Sequence, residues 1–100
     1  MAATPGLLVL VRFKSRLTAE ELRLRYQARM PEFRQLAGLQ QKYHVRDEAA
    51  DEWGGLYFWE SKASLEEYLA SELRSSIAEA FEVEEAPRVE VLQVVDVLRT

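Results

Sequence analysis

Two stretches of the chain are apolar without alternation, Leu7 to Val11 and Leu56 to Trp59, and Val94, Val95, Val97 and Leu98 nearly repeat the pattern near the end. Side chains alternate across a strand, so unbroken apolar runs predict strands whose two faces both leave water. The first strand reads Leu7 to Phe13. A helix then begins at Thr18, where Thr18-x-x-Glu21 has the form of a capping box, and Leu22, Tyr26, Met30, Phe33 and Ala37 mark its buried stripe. Pro31 falls inside that stripe and predicts two helical pieces meeting near Met30, since an internal proline costs about 3 kcal/mol. Gly38 stands where a C-cap would end the second piece.

Leu39 to Arg46 reads as a strand of mixed polarity, with Leu39, Gln41, Tyr43 and Val45 on one face and Gln40, Lys42, His44 and Arg46 on the other. An acidic, turn-like stretch from Asp47 to Glu52 follows, and Gly54-Gly55 opens a third strand that runs through Glu60, completing a hairpin. Ser64-x-x-Glu67 predicts a second helix carrying Leu65, Leu69, Leu73, Ile77 and Phe81, ended by Glu82 to Glu85 and Pro87. The last strand covers Val89 to Leu98. With right-handed crossovers this order predicts an α+β, ferredoxin-like βαββαβ domain over residues 1–100. Its four-stranded antiparallel sheet has both helices on one face and the last strand at an edge. Helices cover one sheet face only; a second copy of the chain is the expected cover for the other, making a homodimer.

Composition narrows the partners. The net charge of −4 disfavours nucleic acid and anionic membranes, which reward concentrated Lys and Arg. The first apolar run is too short to span a membrane and lacks the positive flank of a signal peptide, so a cytoplasmic protein is expected. Cysteine is absent, and His44 is the single histidine, which leaves no multi-histidine or thiolate metal site. The four glycines form no phosphate loop or dinucleotide fingerprint. No nucleophile elbow supports a Ser-His-Asp triad, and the acids from Asp47 to Glu52 lack EF-hand spacing. His44 has three readings: an interface residue, a general base, or an axial haem ligand.

The aromatic residues are more informative. Tyr57 and Trp59 share one strand face, Tyr26, Phe33, Tyr68 and Phe81 lie on the helical stripes, and Trp53 stands at the hairpin mouth. Buried Tyr and Trp need partners for their O–H and N–H groups, so several in one small domain point to a cavity for a flat organic ligand. Arg29 and Lys42 can bring positive charge beside it. A one-residue register shift in the second strand would exchange Tyr43 for Lys42 and His44 at that cavity.

Gly38-Leu39-Gln40-Gln41-Lys42-Tyr43, the segment Glu52-Trp53-Gly54-Gly55-Leu56-Tyr57-Phe58-Trp59-Glu60-Ser61 and Leu65 to Leu69 together resemble the YdhR-like monooxygenases. That family belongs to the dimeric α+β-barrel superfamily, alongside the antibiotic-biosynthesis monooxygenases. The resemblance implies a homodimer of ferredoxin-like subunits, a ligand cleft in each, and oxidation of a small aromatic or quinone-like compound by oxygen with no cofactor. It implies Lys42, His44 and Tyr57 as catalytic candidates. Tyr26, Arg29, Tyr43, Trp53, Trp59 and Tyr68 are the implied substrate-binding set. The Asn-Trp-Tyr-Arg constellation of the antibiotic enzymes is not placed on this chain. A non-catalytic binding or stress-related protein and a haem-binding superfamily member remain the alternatives.

Overall fold

The apolar run at 7–11 forms β1 (Leu7–Phe13), an inner strand of a four-stranded antiparallel sheet, lying between β3 (Glu52–Trp59) and β4 (Arg88–Gln93), with β2 (Leu39–Asp47) beyond β3. The computed structural model describes residues 4–99. Its other elements are α1 (Ala19–Arg34), β2 (Leu39–Asp47), β3 (Glu52–Trp59), α2 (Lys62–Leu69), α3 (Glu72–Ser75), α4 (Ile77–Ala80) and β4 (Arg88–Gln93). This is the ferredoxin-like arrangement, with β4 at an edge as expected.

The alternation along β1 and β3 sorts the sheet into two faces. Leu7, Val9, Phe13, Tyr57 and Trp59 are buried on the helix side, where they join Leu22, Tyr26 and Phe33 of α1 and Leu65 and Tyr68 of α2. On the other side Leu8, Leu10, Leu56 and Phe58 are half-buried only by their own neighbours, and Tyr43 and Leu92 are exposed beside them.

The fold departs from several local expectations. First, α1 is a single helix that runs through Pro31. The proline lies in its last turn, and both it and Gln27, whose carbonyl loses its partner, are exposed, so water can replace the missing bond. The helix closes at Gln35, whose N–H donates to the Glu32 and Phe33 carbonyls, and Ala37 is exposed beyond it. Gly38 therefore caps no helix. It adopts φ +82° in the turn into β2, where a Cβ would run into the Ser64 side chain.

Second, the expected long second helix is three short ones. Ser61, not Ser64, caps α2 by accepting from the Ser64 N–H, and Ser71 caps α3 by accepting from the Arg74 N–H. The Ser71 hydroxyl restarts the chain at α3, whereas Ser76 makes no side-chain cap and the Ser75 and Ser76 hydroxyls donate back to the Glu72 and Leu73 carbonyls, closing α3 before α4 begins. Third, β2 carries a bulge between Leu39 and Gln41. It moves Leu39 to the face of Lys42 and His44, opposite Trp59, while Gln41, Tyr43 and Val45 stay on the open face. Fourth, β4 ends at Gln93. Val94 still donates to the Gly6 carbonyl, but Val95 and Leu98 lie outside the sheet and are more than nine-tenths exposed.

Gly54 and Gly55 sit within β3 rather than at its start. Gly54 meets the Val11 backbone of β1 too closely for any Cβ. At Gly55 a Cβ would press on the Tyr57 ring at 2.9 Å and the Lys42 stem at 3.3 Å. That missing side chain is where the site begins.

Candidate functional site

Lys42 and His44 alternate along β2 and project toward the helices, while Tyr57 and Trp59 do the same from the adjacent β3. With Tyr26 of α1 and Tyr68 of α2 above them, they line a cavity of about 70 Å³ between sheet and helices. A wider groove of about 360 Å³ opens between α1 and the β2 edge, past Phe33 and Gln41. Tyr26, Lys42 and His44 line both spaces and form their common wall.

Burial sets the electrostatics of this wall. The Lys42 ammonium lies 3.5 Å from the centre of the Phe33 ring and 4.7 Å from that of Tyr57. It has no carboxylate partner among the described residues. Loss of water, reinforced by the Arg29 charge, lowers its pKa to about 7. His44 stacks on Tyr26 with ring centres 3.8 Å apart. Its pKa falls to about 4, through burial first and the Lys42 charge second, so at neutral pH it is an uncharged imidazole. Burial pushes the Tyr26 phenol up to about 12 and Tyr57 and Tyr68 upward as well. These phenols stay protonated and can donate.

Among the described residues, three lining side chains hold a buried polar atom with no hydrogen-bond partner in the protein: Tyr26 Oη, Tyr68 Oη and Trp59 Nε1. Buried donors are normally satisfied, and leaving one unpaired costs about 1–3 kcal/mol. Three such donors around one cavity can be met by water or by a polar ligand.

The structure thus gathers Lys42, His44, Tyr57, Tyr26, Trp59 and Tyr68, six of the nine sequence candidates. The other three lie elsewhere. Arg29 is drawn to the α3–α4 junction, where it donates to the Leu73 carbonyl at 3.1 Å and to Ser76 Oγ at 2.6 Å, and it lines neither space. Tyr43 is on the open face, edge-on to Phe58 and 53% exposed. Trp53 packs at the hairpin end, with the Arg46 guanidinium 4.4 Å over its ring. The acidic tip is not simply solvated: Asp47, Asp51 and Glu52 pair with Arg12, Arg46 and Arg88. No metal-binding cluster occurs among the described residues. A haem does not fit the interior, which has about half the volume of the roughly 150 Å³ cavity known to admit benzene.

Comparison with known proteins now bears on this geometry. Residues 7–98 match the family described as "Putative mono-oxygenase ydhR". The chain belongs to that family. No curated protein matches the sequence. Among solved structures, the chain is similar to SnoaB, a cofactor-independent oxygenase from Streptomyces nogalater, with TM-score 0.75, 13% identity, and coverage of 97% of this chain and 100% of that one. Rv0793 from Mycobacterium tuberculosis aligns with TM-score 0.74 and 18% identity over 94% of this chain and 99% of its own. A structure of an antibiotic biosynthesis monooxygenase aligns with TM-score 0.68 and 14% identity over 90% of this chain and 99% of its own. These likenesses establish a shared fold. No helix among the described residues is long and apolar enough to cross a membrane.

Two residues of this monooxygenase-family site escaped the sequence reading. Gly55 lines the cavity and supplies its depth, because the absent Cβ makes room for the Lys42 stem and the Tyr57 ring. Arg74 lines it from α3. A continuous helix with Leu73 and Ile77 inward would place Arg74 off the buried stripe. The capped break at Ser71 restarts the helix, and no periodicity rule announces the new phase.

Proposed function

We propose that this protein is a cofactor-independent monooxygenase that oxidises a small aromatic, quinone-forming compound in the pocket formed by the cavity and the adjoining groove between sheet and helices. The observation that carries this reading is Lys42: a cation held against ring faces without a counter-ion, pKa about 7, among phenol and indole donors that lack partners. Membership of the family and the fold shared with a cofactor-independent oxygenase support it.

The chemistry asks for a base, a dry site and donors for a developing oxyanion. Lys42 suits the base better than His44, since a group titrating near 7 combines a usable free-base population with driving force, and one near 4 has little. The Lys42 amine takes a proton from the acidic CH₂ of an anthrone-type substrate. The resulting anion transfers an electron to O₂, and the radical pair recombines to a peroxide on carbon. Lys42 returns the proton to the peroxide, and loss of water turns the original CH₂ carbon into C=O. One oxygen atom is retained and the other leaves as water. Tyr68 and Trp59, which line the cavity with unpaired donors, are the proposed donors to the anion.

Oxygen uptake with a panel of anthrones tests the proposal, with hydroquinones, which lack the CH₂, as the comparison. Uptake is expected to rise with pH through about 7 and to fall about a hundredfold or more in Lys42→Met. Tight binding of panel members without uptake would instead make the protein a binder.

We further propose that the open sheet face is covered by a second copy of the chain. Leu8, Leu10, Leu56, Phe58 and Leu92 form one apolar surface there, and exposed apolar faces of this kind mark interfaces. Sedimentation at micromolar concentration is expected to show a dimer, and Phe58→Asp a monomer. A wild-type monomer would refute this assembly.

A further inference from the structure

The chain carries 17 Asp and Glu against 13 Lys and Arg, yet among the described residues no carboxylate lines either the cavity or the groove. Basic side chains line both: Lys42 on the common wall, Arg74 in the cavity and Arg34 at the groove. Arg74 is half-buried, and its guanidinium makes no hydrogen bond or ion pair with any described residue. It nevertheless acts on Tyr57 and Tyr68, whose phenols feel its positive charge. Arg29, by contrast, already spends donors on Leu73 and Ser76.

A guanidinium turned toward a partly dry space without an acceptor is a fork with nothing in it. Its planar pair of N–H groups matches a carboxylate, which it binds through two parallel bonds. The dimensions agree. At about 70 Å³ the interior takes a small polar group or a few waters but not an aromatic ring, whereas the adjoining groove of about 360 Å³ takes the ring.

Building on the reading of this cavity as a ligand site, we propose that its ligand is an aryl carboxylate and that Arg74 binds the carboxylate. The ring lies along the Tyr26–Lys42–His44 wall, with the acid group inside, within reach of Arg74 and the Tyr68 hydroxyl. Permanent negative charge, more than ring shape, then decides what the site accepts. Neutral hydroquinones are poor ligands by comparison.

Isothermal titration of 2-naphthoate against its neutral isostere 2-naphthamide tests this without requiring turnover. The acid is expected to bind about tenfold or more tightly than the amide, the worth of one charge-assisted pair. Arg74→Gln is expected to abolish that preference, and Arg74→Lys to restore part of it, with circular dichroism and the thermal midpoint reporting that each variant is folded. Equal affinities of acid and amide in the wild type, absence of binding by either, or an undiminished preference in folded Arg74→Gln would each overturn the inference. Oxygen uptake confined to neutral substrates would sink it while leaving the oxygenase reading intact. An acid preference lost in Arg74→Gln, without oxygen uptake, would sustain it while the oxygenase reading fails.

Discussion

Lys42→Met is expected to raise the thermal midpoint at pH 6 by about 10 °C and to lose that advantage above pH 10. The folded protein releases the Lys42 proton at about 7, the unfolded chain at the ordinary 10.5. Between those values the unfolded state holds a proton that the folded state has given up, so wild-type stability rises with pH across this window. Below 7 both states are charged, and the folded state bears the full cost of an ammonium withdrawn from water. The difference between 7 and 10.5 corresponds to on the order of 5 kcal/mol, a net figure that already contains any attraction by the Phe33 and Tyr57 rings. Even half of that, on the order of 2 kcal/mol, moves the midpoint of a domain this size by about 10 °C. Methionine keeps the length and apolar stem of lysine and removes the charge. Thermal unfolding of both proteins at pH 6, 8 and 10 measures the difference. A variant no more stable than wild type at pH 6 would mean that Lys42 has a counter-charge or reaches water. The expected pairing of higher stability with lost oxygen uptake is the trade-off of a site strained for its task.

Trp59→Ala is expected to cost about 3–5 kcal/mol, a large share of the 5–15 kcal/mol that holds such a domain together. Trp59 is fully buried, lies 5.2 Å from the Tyr68 ring and stacks on Tyr57 at 6.4 Å. It joins β3 to α2 at the centre of the core, and neither the sheet nor the capped helix can collapse into the void. Urea denaturation should show a midpoint shift with an unchanged slope, and Trp59→Phe should recover roughly half the loss. A cost below about 1 kcal/mol would show that the neighbouring rings repack, and that the cavity floor is softer than its packing implies.

How much of this was legible in the sequence depended on whether the signal was local. The Thr18 capping box is present as read, with Glu21 returning its bond to the Thr18 N–H. Tyr57 and Trp59 do share the buried face, because alternation is enforced by the strand itself. Two of the differences share one cause, a pattern that holds only until the backbone changes phase, and the third is its converse. Leu65 through Phe81 looked like one stripe until Ser71 took the Arg74 N–H and restarted the helix. Leu39 looked coplanar with Tyr43 until the bulge turned it over. Pro31 looked like a break, yet so near the helix end it removes a bond that solvent can replace.

The site shows the same division. Which chemistries the chain can attempt was set by inventory: one histidine, no cysteine, a wealth of Tyr and Trp, and Lys42 among them. Membership of the monooxygenase family was likewise written in contiguous segments. Only the folded chain decided that Lys42 and His44, rather than Tyr43, face the helices, and that Arg29 is tied to Ser76 while Arg74 enters the cavity. It alone decided that Lys42 has no acid beside it among the described residues. Residue type and spacing specify what a side chain can do and which face of its own strand or helix it occupies. Its charge state and its unmet partners depend on residues of other strands and helices, brought together by packing, and no local pattern encodes them.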